Sequence, residues 1–99
     1  MKRRLVLRPE ARLDIREAAL WYDEQSPGLG DRFVEDLNAL FERILEAPLQ
    51  FPKIDPAVYC ALPHGFPYKV YFRLDQTSAR ILAVMHQSRH PDAWRSRNR

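Results

Sequence analysis

Two helical repeats of apolar residues, set apart by a break of five residues, constrain this chain more than any other feature. Ala11, Ile15, Ala18 and Tyr22 recur at spacings of four, three and four, with Ala19 beside them, and lay one apolar stripe along a helix. Phe33, Leu37, Leu40, Phe41 and Ile44 form a second, stronger stripe. Pro9 suits the first turn of the first helix, acidic Glu10 follows it, and the pattern predicts a helix to about Gln25. The break is "SPGLG": Ser26 is expected to cap the second helix, with Pro27 in its first position, and that helix must end before Pro48. So short a connection makes the pair an antiparallel hairpin. A hairpin with one apolar side needs another layer to cover it.

The rest of the chain supplies a sheet. Lys2 to Leu7 reads as a short strand, and "PLQFPKIDP" (48–56), with three prolines in nine residues, as an ordered loop. Tyr59 to Leu62 is a candidate strand and Phe66 to Leu74 a clearer one; "DQTSA" makes a turn and Arg80 to His86 a partner strand. The expected architecture is β-α-α-β-β-β, an α+β domain with the helical hairpin packed on an antiparallel sheet. Ile81 to Met85 are five apolar residues in succession. A strand covered on one face alternates, whereas one buried on both need not. Two helices cover only one face of a small sheet, so the C-terminal tail with Trp94 or a second protein must cover the other. An apolar surface left open around Tyr71, Leu82 and Val84 would be a binding site.

A chain of 99 residues, 45% apolar and 29% charged, is one soluble globular domain, 1–99, with a basic tail at 87–99. No hydrophobic run approaches the roughly 18 residues of a membrane helix, and Leu5-Val6-Leu7 is too short for a signal peptide, so no membrane association and a cytoplasmic location are expected. Cys60 is the sole cysteine, which fits a reducing compartment. The net charge of +3 is unevenly spread: residues 1–12 carry +4, 13–85 carry −4 and 86–99 carry +3. If the termini meet in space they form one basic region suited to a phosphate backbone or an acidic protein.

Few residues suggest chemistry. There is no Gly-rich phosphate loop, no HExxH pair and no visible nucleophile with a positioned base, and no cofactor or metal is expected. Cleavage of RNA through its 2′-hydroxyl needs a base, an acid and a cation. His86 could be the base and Arg89 the cation, with Tyr68, Tyr71 or Lys69 as acid or orienting group. Each of these also has a purely structural reading as a strand-end or packing residue. Trp21-Tyr22 cannot form one stacking platform, because adjacent helical residues point about 100° apart.

The segments "RPEARLDIREAALWYDEQSPGLGDRF", "APLQFP", "FPYKVYFRLD" and "ILAVMHQSRHPDAW" follow the order and spacing of the RelE/ParE toxin superfamily, which the chain resembles over roughly residues 4 to 94. The joint signal is "FPY" with a later "HxxRxPxxW" after a helical hairpin. The resemblance implies the toxin of a type II toxin–antitoxin module, of the kind also labelled plasmid stabilisation protein, and is closer to the ParE-like branch. RelE-like members cleave messenger RNA on the ribosome with basic residues on central strands and an Arg plus Tyr near the C-terminus; ParE-like members poison DNA gyrase. By position Lys69 and Arg89 match the nuclease cluster, while the terminal tyrosine has no counterpart and Trp94 stands nearby. Tyr59-Cys60 and Gly65 stand where basic residues are common in the subgroup, which weakens a phosphate grip.

The resemblance therefore implies a growth-inhibiting toxin, acting on gyrase, that a cognate antitoxin neutralises. The antitoxin would lay an acidic, amphipathic segment over the open apolar surface, with Tyr71, Leu82, Val84, Arg89, Trp94 and Arg95 as contact residues for antitoxin or target. The alternatives are a ribosome-dependent endoribonuclease with Lys69, His86 and Arg89 as its catalytic residues, and an inactive antitoxin-binding module.

Overall fold

A computed structural model describes residues 2–98. β1 (Arg4–Leu7) leads into α1 (Pro9–Gln25) and α2 (Leu29–Glu46); a 3-10 turn at Pro48–Gln50 is followed by β2 (Lys53–Asp55), β3 (Val58–Ala61), β4 (Tyr68–Leu74) and β5 (Ser78–His86). The strands form one sheet in the order β1-β5-β4-β3-β2. β1 runs parallel to β5, and every other neighbouring pair is antiparallel. The fold class is the expected α+β, with the hairpin on the sheet. Two details are added: the sheet is mixed, because the two helices carry the chain from β1 back to lie alongside β5, and the proline-rich stretch contains β2.

α2 buries Phe33, Leu37, Leu40, Phe41 and Ile44, as its period requires. α1 buries small residues, Ala11 and Ala18, together with Tyr22. Tyr22, Phe33, Phe66 and Tyr68 pack edge and tilt against one another, Tyr22 to Phe66 at 4.9 Å between centroids. Ser26 does not cap α2. Its N–H donates to the Tyr22 carbonyl and closes α1, and the N-cap is Gly28 at φ 86°, a left-handed conformation open to glycine. Asp23 reaches across the turn instead, accepting the Gly30 N–H at 2.8 Å. A side chain at Gly30 would place its Cβ 2.3 Å from the Ala19 carbonyl oxygen, so the helices cross where one lacks a side chain.

The unbroken apolar run of β5 has a geometric cause. Tyr71 pairs with Ala83 but Phe72 with Ile81, so Leu82 is an extra residue in a β-bulge. Ile81 and Val84 then face the helices, while Leu82, Ala83 and Met85 face the other way. On that second face they form a smaller core with Val58, Tyr71 and Trp94.

This corrects the expectation of an open sheet. The C-terminal segment folds back over the second face: Trp94 is 2% exposed and stacks on Tyr71 at 5.7 Å, with the ring planes 23° apart. Leu82, Val84, Tyr71 and Trp94 are all buried, and Val84 lies in the helix-side core rather than under the tail. Polar ties hold the cover down. Arg97 forms a two-pronged ion pair with Asp14, Arg8 donates to the Arg97 carbonyl at 2.6 Å, and Arg73 donates to Asn98 at 2.9 Å. The two ends of the chain do meet, but around acidic Asp14 and Glu10 rather than as a bare cationic patch.

Candidate functional site

Beyond Leu7, β5 has no strand on its β1 side, and α1 closes that edge: Asp14 accepts the Val84 N–H at 2.9 Å. Further along, α1 and the end of β5 diverge and leave a cleft of about 240 Å³. Trp21 and Glu17 stand on its helical wall, Tyr68 and His86 on its floor, and Arg89 on the turn that follows β5. Tyr68 and His86 are cross-strand partners, which places both side chains on the helix side, ring edge to face at 5.3 Å.

The turn orients the histidine. The Ser88 N–H donates to His86 Nδ1 at 3.0 Å, with the Ser88 hydroxyl 2.8 Å from the same nitrogen. A backbone N–H can only donate, so Nδ1 accepts and the neutral ring carries its proton on Nε2. Arg89 is held through its backbone, its N–H donating to the His86 carbonyl at 3.0 Å, and its guanidinium has no ion pair among the described residues. Burial, with smaller contributions from Tyr22 and Asp14, pushes the Tyr68 phenol above its ordinary value and keeps it protonated.

A second cleft lies on the opposite face, lined by Cys60, Lys69, Tyr71, Trp94 and Arg95. Lys69 pairs with Met85, one residue from the Tyr68–His86 pair, and the pleat turns it to the far side of the sheet. Burial raises the Cys60 thiol while Lys69 pulls it down less strongly, so it stays a thiol. Arg95 is engaged: it donates to Asp92 at 2.8 Å and Asp55 at 3.0 Å and lies 4.7 Å over the Trp94 ring. It ties the tail to β2 while its side chain stays 54% exposed.

Of the residues singled out in the sequence, His86 and Arg89 therefore come together, and Lys69 is separated from them by the sheet. Tyr71, Leu82, Val84 and Trp94 serve the two cores. Sequence reasoning missed the outer side of α1. Leu13, Leu20 and Trp21 are 55%, 58% and 52% exposed, and the seven-residue spacing of the two leucines, opposite the alanine stripe, was the available signal. Among the described residues no helix is long and apolar enough to cross a membrane, and no group of three or more His, Cys, Asp and Glu side chains is placed to hold a metal ion.

Comparison with known proteins is consistent with this geometry. The family described as the ParE toxin of the type II toxin–antitoxin system parDE matches residues 5–91. A comparison with curated protein sequences finds no match. The fold is similar to a chain of the chromosomal ParDE TA system from P. aeruginosa, with a TM-score of 0.75 and 18% identity over 86% of this chain and 96% of that one. The family match spans most of the molecule, both helices and the whole sheet, and on that ground the chain belongs to the ParE toxin family of type II toxin–antitoxin systems.

Proposed function

We propose that this protein is the growth-inhibiting toxin of its pair, that it acts in the cytoplasm by binding DNA gyrase rather than by cutting RNA, and that a cognate antitoxin neutralises it. The observation that carries the choice of target is the division of the polar residues by the sheet. Cleavage through the 2′-hydroxyl requires base, acid and cation within hydrogen-bond reach of one phosphate. Here Lys69 opens on one face and His86 with Arg89 on the other. The remaining hydroxyl of that cleft, on Tyr68, is pushed away from acidity, and the Glu17 carboxylate, which has no ion pair among the described residues, lines the same space and opposes a phosphate. A surface with few convergent catalytic groups suits a toxin that works by occupancy.

The experiment is purified toxin with gyrase and supercoiled DNA. Linear, gyrase-linked DNA is the expected product. No effect on gyrase, together with cleavage of ribosome-bound message, overturns the reading. The runner-up, a ribosome-dependent endoribonuclease, is favoured by the meeting of His86, Arg89 and Tyr68 in one cleft. Under it, Arg89→Ala abolishes message cleavage.

A further inference from the structure

We propose that the sheet face turned away from the helices carries, beside the β4–β5 turn, a binding site for the phosphate backbone of double-stranded DNA, built on Arg4, Arg73 and Arg80. The choice of DNA as the source of the phosphates rests on the gyrase reading above; the site itself does not.

The charge of the molecule is layered. The hairpin, residues 9–46, holds ten acidic and four basic groups, a net −6, and the rest of the chain holds three acidic and twelve basic groups, a net +9. Three of those cations share one end of one face. Arg73 of β4 is the cross-strand partner of Arg80 of β5, and Arg80 lies beside Val6 of β1, two residues from Arg4. Leu5, Leu7, Phe72 and Ile81 pack on the helices, so the pleat turns Arg4, Arg73 and Arg80 to the other side. Like charges directly opposite on paired strands destabilise the pair. Nothing within the described residues relieves this conflict. Arg4 and Arg80 are exposed, none of the three has an ion pair among the described residues, and Arg73 donates at 2.9 Å to the neutral side-chain amide of Asn98. Arg73 and Arg80 line a cleft of about 200 Å³ together with Asp75. The Asp75 carboxylate is held by the Ser78 hydroxyl and the Thr77 and Ser78 N–H groups, and leaves three positive charges against one. A local rule broken in this way is expected where a ligand restores the balance.

The surroundings of the cluster select its occupant. A protein partner needs an apolar centre to its contact. Among the described residues the exposed large apolar side chains lie on α1, at Leu49 and Leu62, and at Ile54 of β2, and none lies on β1, β4 or β5. A second copy docking by its acidic hairpin would leave its own arginines free for a third, so the contact would not stop at a dimer. Single-stranded nucleic acid is held by aromatic side chains on which bases stack. The exposed aromatic side chain among the described residues is Trp21, on the hairpin. A duplex backbone asks only for cations and polar groups. Each guanidinium fork matches two oxygens of one phosphate, and the acidic hairpin, repelled by the same duplex, fixes which side of the molecule faces it.

The test titrates the full chain into a short fluorescent DNA duplex of mixed sequence and reads anisotropy. Three phosphate contacts give a slope of log affinity on log salt of about −2.7, so affinity should fall about 40-fold between about 50 and 200 mM salt. Arg4→Ala with Arg80→Ala should weaken binding at least about tenfold at the lower salt and reduce the slope to about −0.9. Arg12→Ala with Arg16→Ala removes the same charge from the hairpin and should change affinity less than about twofold. Circular dichroism checks each fold; should the first pair misfold, Arg4→Ala against Arg12→Ala decides. The proposal is overturned if the wild-type chain leaves the duplex unbound at about 100 µM protein and low salt, or if the two pairs lose affinity equally. Tighter binding of a single strand or of duplex RNA also overturns it. So does self-association that the first pair abolishes, which gives the cluster to a second copy, or gyrase binding that it abolishes with duplex affinity kept, which gives it to an acidic protein. The titration contains no gyrase, so its failure leaves the gyrase reading standing. Duplex binding as expected, without gyrase-linked DNA in the earlier assay, removes that reading and leaves the site.

Discussion

Trp94→Ala tests directly how the second face of the sheet is closed. The indole is 2% exposed and stacked on Tyr71, above Leu82, Ala83 and Met85. An aromatic side chain of this class buries about 150–250 Å². At about 25 cal/mol per Å², that contributes about 4–6 kcal/mol. Core Trp→Ala changes cost about 3–5 kcal/mol, so the two routes agree. Against a total stability of about 5–15 kcal/mol for a domain of this size, the loss is about a fifth or more. The ties from Arg97 to Asp14 and from Arg95 to Asp55 and Asp92 remain, so the tail stays tethered while its core opens. Even a loss of about 3 kcal/mol lowers Tm by about 12–24 °C. Thermal unfolding by circular dichroism, with a urea titration in parallel, reads the change. A Tm within about 3 °C of wild type, with an unchanged urea slope, would refute the reasoning, because a tail that closes a core cannot lose its anchor without cost.

The other predictions concern the hairpins. Asp75 accepts hydrogen bonds from the Ser78 hydroxyl at 2.7 Å and from the Thr77 and Ser78 N–H groups at 2.8 and 2.7 Å, which lower its pKa from 3.8 to about 2. A depressed pKa means that this contribution to stability is present in full above the ordinary carboxylate range and fades as pH falls through about 2. Asp75→Asn should therefore flatten the acid limb of a Tm-against-pH curve, and superimposable slopes would contradict it. Gly30→Ala sets a Cβ against the Ala19 carbonyl and should cost about 1–3 kcal/mol or more. Gly28→Ala has open space and pays only for its φ, about 1–2 kcal/mol, so the denaturation midpoints of the two variants should rank in that order.

Much of the fold was legible because its signals are local. The stripes of α1 and α2, Pro9 at the first helical turn and the short connection between the helices fixed the hairpin, and the apolar runs fixed β4 and β5 to within two residues. Less was readable where long-range pairing decides. β2 lies among prolines and exists because β3 supplies the partner for Lys53 and Asp55. Ser26 had the chemistry of a cap, but Asp23 sits closer to the orphan N–H of Gly30. The apolar run of β5 pointed correctly to two covered faces, and the tail with Trp94 was one of two candidate covers. Only tertiary contacts decide for the tail over a second protein. The candidate site was half visible. His86 and Arg89 are neighbours in sequence as in space, whereas the exclusion of Lys69 depends on the pairing of Tyr68 with His86, which no single strand encodes.

The extra residue at Leu82 splits β5 into two segments half a pleat out of step. Positions 81 and 84 answer to the hairpin, and 82, 83 and 85 to the tail, so neighbouring substitutions along one strand loosen opposite layers of the molecule. Removing Leu82 itself would restore an even pleat, with Ile81, Val84 and His86 still on the helix side and Ala83 and Met85 still on the other. What the molecule would lose is one large apolar group of the layer beneath the tail, not the facing of the strand.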